Sequence, residues 1–318
     1  MAVSREQLKV EKGLTARTRR FRLNQRQIMS YLMVLPAMLV IVLVVFFPIA
    51  QTFWFSLHDI DKRLGDRPEP FIGLQNYTDA FTQPDISTRL FDAFSFTTRF
   101  AVISVGLEFF LGLGVALVLN REFRGRAVVR ALILIPWSIT TVVVARMWGL
   151  IYNSEFGVLN SMLKGMGIIQ HDLLWTADQT LTFWAVVVAD VWKSTPFVAL
   201  ILLSGLQLIP ADLYEAATVD GASAWQKFRY ITFPALRPTI LIALVFRTID
   251  ALRIFDLVYV LTEGGFGTES LNYMTYQEIF RNQNFGFGSS LAIITFLYIL
   301  IIAAIYIKLL GNREDARR

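Results

Sequence analysis

Cysteine is missing from this chain, which excludes disulfides, thiolate metal sites and thiol chemistry. Histidine is nearly missing too. His58 and His171 stand far apart in expected loops, a poor basis for a metal site or a general base. Charge is scarce: Asp, Glu, Lys and Arg make up 17% of 318 residues, against about a quarter in an ordinary soluble domain. No GxxxxGK[ST] loop occurs, so the chain does not bind ATP by that route. In place of these stand apolar residues, 55% of the total, with a mean hydropathy of +0.51. They come in blocks long enough to cross a bilayer, not in the stripes of a soluble domain. The sequence is that of an all-α polytopic membrane protein.

Six runs approach or exceed the ~20 residues that a spanning helix needs. They lie near 28–54, 94–119, 127–152, 180–207, 238–262 and 288–310. A polar basic arm precedes the first run, which is too long for the apolar core of a cleavable signal. The net charge of +5 invites a nucleic-acid reading, but the basic residues gather in alternate loops instead of one stripe. The arm, loops 120–126 and 208–237, and the tail counted from residue 308 hold 18 Lys and Arg; the intervening loops hold 6. That excess places both termini in the cytoplasm, which an even number of spans permits. The expected organisation is a cytoplasmic basic arm (1–27), a six-helix transmembrane domain (28–310) with a polar segment at 211–234, and a cytoplasmic tail (311–318).

Pro36, Pro48, Pro136 and Pro196 fall inside spans, where a proline removes a backbone hydrogen bond and tends to kink the helix. Gly106, Gly112 and Gly114 in the second span invite close helix packing. The loop 55–93 contains FIGLQNY (Phe71 to Tyr77), room for a small interfacial helix but not for a separate domain.

The stretch from Glu215 to Pro234, EAATVDGASAWQKFRYITFP, is mostly polar and helix-compatible between two apolar runs. Asp212 suits the first turn of a helix, where acid complements the dipole. Gly221 marks either a break or a close backbone approach. A second helical stretch is expected from Ala222 to Tyr230, before Ile231 and Pro234. Two readings compete: a rigid knob on the membrane surface, or an amphipathic connector lying in the lipid interface.

Span five carries Arg247, Asp250, Arg253 and Asp256 in steps of three, so opposite charges can pair along the helix. A charge at mid-bilayer costs roughly 2.5–3.5 kcal/mol, so these groups must face protein or water. Asp250 lies about 18 Å from the inner end of its span, and Asp190 and Lys193 about 15–20 Å from the outer end of theirs, at 1.5 Å per residue. Similar depth allows an ion network locking the two spans together, or a polar lining for a sugar. Hydroxyls can donate to carboxylates and accept from Lys or Arg, and Phe197 and Phe255 offer flat faces to a sugar ring. Glu108 and Arg146, also within spans, read as interface or partner contacts.

The order EAA, three residues, Gly221, nine residues, then Ile-x-x-Pro resembles the EAA motif of the membrane subunits of binding-protein-dependent ABC importers. Phe233 stands where that motif usually has Leu. FIGLQNY, RGRAVVRALILIPW, FGVLN, DVWKSTPF, DLVYVLTEGG and FGFGSSLAI look like carbohydrate permeases, and together resemble the first of the two permease subunits of maltose/trehalose-type importers. The chain lacks the extra spans and large insertion of the enterobacterial maltose subunit.

The resemblance implies a type I ABC importer permease fold in the plasma (inner) membrane of a prokaryote, in contact with lipid. It implies four partners: a second permease subunit, an ATPase dimer, an extracytoplasmic sugar-binding protein, and a sugar such as trehalose, maltose or another α-glucoside. Nucleic acid is not among them. ATP and Mg would be used by the ATPase, with no cofactor and no catalysis on this chain. Glu215, Ala216, Ala217, Asp220 and Gly221 would meet the ATPase. Lys193, Ser194, Phe197, Arg247, Asp250, Ala251 and Ile254 would line the sugar path, with Asp190, Arg253 and Asp256 as a gate or ion network. Alternatives are the same machine carrying a non-sugar solute, and an ion-coupled transporter with Asp190 or Asp250 as its proton site. The latter leaves the polar segment unexplained and would show inverted repeats. An intramembrane enzyme finds no catalytic pairing.

Overall fold

A computed structural model describes residues 25–65 and 68–315. Most of the basic arm and the last three residues of the tail lie outside these. The described chain is helical, with two isolated β-bridges, and divides into a unit ending at Gln51 and a unit beginning at Thr52.

The described residues of the first unit form a single apolar helix: α1 (Gln25–Ile41), a π-turn (Val42–Phe46) and the start of α2 (Phe47–Ser56). Met29–Ser56 is long and apolar enough to cross a membrane, with a mean hydropathy of 3.0 over an 18-residue window. The π-turn ends two residues before Pro48, and Phe47 N–H donates to Val42 O, one residue further back than in an α-turn. Proline cannot donate to its i−4 carbonyl and crowds it; the widened turn relieves that conflict.

The second unit contains α3 (Gln75–Thr82), α4 (Pro84–Leu119), α5 (Arg126–Ser138), α6 (Thr141–Ile151), α7 (Val158–Gly165) and α8 (Gln179–Gln207). After these come α9 (Ala211–Val219), α10 (Ala224–Lys227), a π-turn (Phe228–Thr232), α11 (Phe233–Leu252), α12 (Asp256–Leu261), α13 (Leu271–Tyr276), another π-turn (Gln277–Arg281) and α14 (Phe285–Asp315). Pro84–Leu119, Gln179–Gln207 and Phe285–Tyr306 are also long and apolar enough to cross, and α5 with α6 make a further span if the pair is taken as one.

The helices differ in extent from the expected runs. α4 starts ten residues ahead of the apolar run, at a proline followed by Asp85, both suited to a first turn. The third run is not straight: α5 and α6 meet at 92°. Ile139 and Thr140, both β-branched, are extended at that corner, three residues after Pro136. The fifth run is broken. α11 stops at Leu252, and Arg253 to Phe255 leave helical geometry before α12 begins.

α4 and α8 pack along their length, and α11 lies against both. Lipid supplies no hydrophobic drive between helices, so close approach and packing hold them. Of the three glycines in α4, Gly112 makes the contact: a Cβ there would stand 2.9 Å from Val198 Cγ1 and 3.1 Å from the Ala199 nitrogen. Gly106 and Gly114 have nothing within 4 Å, so they do not serve this packing. The Gly112 crossing sits beside a core of Ala116, Leu119, Val198, Leu202, Leu206 and Leu236.

At one end of the bundle, the FIGLQNY segment closes the loop after α2. Buried Asn76 donates from Nδ2 to the carbonyls of Ser56 (2.9 Å) and His58 (3.1 Å), and Tyr77 Oη meets Ser56 Oγ at 2.7 Å. At the same end, Arg89 grips Glu269 through Nε (2.9 Å) and Nη2 (2.5 Å), Glu278 through Nη1 (2.8 Å), and Gln277. α4 is thereby tied to the segment before α14. The loop containing Glu215 lies at the opposite end.

Candidate functional site

Two arrangements carry the chemistry, and α11 links them. The first is the Glu215 loop, a helix–turn–helix knob. α9 ends in a Schellman motif: Ala222 N–H donates to Ala217 O (2.8 Å) and Gly221 N–H to Thr218 O (3.1 Å). Gly221 has φ +77 and a clear space where a Cβ would be, so the left-handed backbone, not close approach, demands glycine within this chain. Ser223 then opens α10 with a capping box closed by Gln226. Tyr214 Oη to Thr232 Oγ1 (2.9 Å) and Lys227 Nζ to Thr218 Oγ1 (2.7 Å) pin the two halves together. Glu215, Ala216, Asp220 and Gly221 are exposed and Ala217 is half-buried, while Leu213, Val219, Trp225 and Tyr230 present exposed apolar surface around them.

The second half of the knob is not the separate helix expected for Ala222 to Tyr230. α10 runs through the Phe228–Thr232 π-turn directly into α11. Here again the π-turn ends two residues before a proline, Pro234, and Phe233 N–H donates to Phe228 O. One helical rod therefore reaches from Ala224 to Leu252.

The second arrangement is built on Arg247, only 2% exposed. Its guanidinium binds Glu108 on α4 (Nη2 to Oε1 2.8 Å, and Nε to Oε2), Asp190 on α8, and Asp250 one turn along (2.9 Å). Ser104 Oγ adds bonds to Glu108 (3.1 Å) and Asp190 (2.7 Å). Three helices thus meet at one cation, and the charges of spans four and five, expected at similar depth, lie side by side. Glu108 is fully buried in this network, not at an interface as expected; its partner is inside the chain because α4 faces α11 there. Arg146 is exposed on α6.

A cavity of about 130 Å³ opens beside the network, lined by Asp190, Lys193, Ser194, Arg247, Asp250, Ala251, Arg253, Ile254 and Asp256, with Phe255 and Thr141. Phe197 does not reach it and instead stacks on Trp137 of α5 at 5.7 Å. Arg253 and Asp256 form no ion pair with each other among the described residues, since the break after Leu252 destroys the helical spacing that pairing needs. The two readings of these charges divide the residues between them. Arg247, Glu108 and Asp190 bond to one another inside, whereas Lys193, Asp250, Arg253 and Asp256 keep polar atoms for something else. Sequence reasoning missed Ser104, which bridges two carboxylates, and the Arg89 cluster; their partners are distant in sequence.

The fold is shared with solved importers. The structure of a bacterial ABC transporter involved in the import of the acidic polysaccharide alginate has a chain that superposes with a TM-score of 0.77 at 21% identity, over 90% of this chain and 96% of that one. In sequence, the chain is 42% identical to the trehalose/maltose transport system permease protein MalF of Thermococcus litoralis, over 90% of this chain and 95% of that protein. It is 38% identical to the trehalose transport system permease protein SugA of Mycobacterium tuberculosis, over 91% of each. A bundle with a polar knob at one end and charges at its centre is, by these relatives, an ABC importer permease. Residues 108–314 match the binding-protein-dependent transport system inner membrane component family, and the chain belongs to it.

Proposed function

We propose that this chain forms half of the translocation path of an ATP-driven sugar importer, carrying trehalose, maltose or a related α-glucoside. Its relatives named for trehalose and maltose support the solute class. The observation that carries the mechanism is the rod from Ala224 to Leu252. From Ala224 to Arg247 it measures about 35 Å at 1.5 Å per residue, so a push on the knob arrives at the buried network. A partner ATPase dimer, using ATP and Mg, grips Glu215, Ala216, Ala217, Asp220 and Gly221. Its closure tilts the rod against α4 and α8, and the two positions differ in affinity for sugar. Sugar hydroxyls donate to Asp250 and Asp256 and accept from Lys193 and Arg253. A second permease subunit supplies the other half of the path, and a docked extracytoplasmic sugar-binding protein delivers the solute. Both termini lie in the cytoplasm of a prokaryote, under the charge asymmetry of the loops.

An ion-coupled transporter would leave the ordered polar knob around Gly221 without a role. The test is uptake of radiolabelled trehalose by the complete transporter in proteoliposomes. Glu215→Lys leaves this chain in the membrane but abolishes uptake and weakens co-purification of the ATPase. Normal uptake by that variant refutes the docking role.

A further inference from the structure

Four aromatic rings run from the cavity towards the end of the bundle away from the knob. Phe255, in the break after α11, lines the cavity. It stacks on Tyr259 at 5.5 Å between centroids, and both rings meet Tyr276 at 5.2 Å. Tyr276 in turn meets Phe280 at 5.2 Å. The i, i+4 spacing of Phe255 with Tyr259, and of Tyr276 with Phe280, aims each pair to one side of its segment. The strip stays open: Tyr259 is 36% and Phe280 66% exposed.

Its neighbours say what it faces. Arg253 and Asp256 are exposed on the same stretch as Phe255 and Tyr259. Lipid would penalise those charges by roughly 2.5–3.5 kcal/mol each at mid-bilayer, so this side meets water or protein. The far end is held firmly. Glu278, between Tyr276 and Phe280, is bonded by Arg89 (2.8 Å) and by Asn282 Nδ2 (2.9 Å). The rings are thus presented on an anchored segment and end at a cavity of charged groups.

We propose that Phe280, Tyr276, Tyr259 and Phe255 form a ladder of weak sugar subsites that passes a pyranose ring into the Lys193–Asp250 cavity. This rests on the reading that the solute is a sugar. A pyranose has an apolar C–H face that packs on an aromatic ring and a hydroxyl rim that stays hydrated or bonds to a phenol. Phe280 leads by one 5.2 Å contact to Tyr276, which touches both Phe255 and Tyr259, so a sugar meets several shallow aromatic contacts and no deep trap, and conduction requires sites weak enough to leave. The charged cavity then supplies orientation.

The experiment uses the complete transporter in proteoliposomes, with radiolabelled trehalose and uptake normalised to assembled complex. Tyr276→Ala and Phe280→Ala are expected to slow uptake about tenfold at limiting sugar, while Tyr276→Phe and Phe280→Trp stay near wild type. ATPase stimulation by the docked binding protein is expected to be unchanged, so each sugar costs more ATP. Wild-type uptake by both alanine variants overturns the ladder and leaves the sugar-importer reading standing. Loss of the second permease subunit on purification also overturns it, by making the rings a subunit interface. A wild-type complex that imports a non-sugar solute instead overturns the parent reading and the ladder together.

Discussion

Arg247 answers to three carboxylates on three helices, while Asp250, one of them, keeps 78% of its side chain exposed. Removing the cation leaves Glu108 and Asp190 with uncompensated buried charge, a loss of about 3–5 kcal/mol. Arg247→Leu is therefore expected to lower the thermal midpoint of the purified complex sharply. Asp250→Ala should behave differently, assembling normally but losing sugar-stimulated ATPase activity. If that variant falls apart instead, the exposed carboxylate is structural. Gly221 is the other single-residue lever. Alanine at φ +77 strains the Schellman turn by about 1–2 kcal/mol, so Gly221→Ala should weaken retention of the ATPase on affinity purification, and Gly221→Asn less so. Gly221 was readable as a special position from the sequence, because one glycine between two polar helical stretches has few uses. The Arg247 partners were not readable. Glu108 lies 139 residues away, and nothing local says which of its helix faces looks inward.

Among the elements, the continuity of α10 and α11 matters most. A helix transmits rotation, so its phase can be tested. One alanine inserted after Lys227 turns the knob by about 100° relative to Arg247, and four turn it by a net of about 40°. The single insertion is expected to abolish uptake with the complex still assembled, and the fourfold insertion to recover part of it. Equal uptake from both insertions would show that the rod does not carry the motion. The sequence announced Pro234 and Pro48 but not their consequence, a widened turn two residues upstream in each case. The corner between α5 and α6 was hidden for a related reason. An apolar run long enough to span says nothing of its straightness, and only packing decides whether two β-branched residues after a proline bend the chain by 92°.

For the molecule as a whole, the proposed function makes the chain one moving half of a larger assembly, with conformational work to do. Purified alone and given only an electrochemical gradient, it should move no trehalose. With its second permease subunit, the ATPase, the binding protein and ATP, proteoliposomes should accumulate the sugar. Uptake by the isolated chain under a proton gradient would place the energy source in the bundle itself.

Apolar blocks and loop charges were enough to determine a helical membrane protein, because burial in lipid is a local property, and the EAA-to-proline spacing, through its resemblance to importer permeases, marked the polar segment after the fourth run. Only the tertiary structure decided that Arg247 is spent on Glu108 and Asp190, that Lys193 and Asp250 remain open, that Phe197 turns away to Trp137, and that Phe255 joins the cavity to three further aromatic rings. Each of those outcomes depends on where side chains from distant segments converge. That convergence is fixed by the rotation and break points of packed helices, and periodicity along a single run does not encode them.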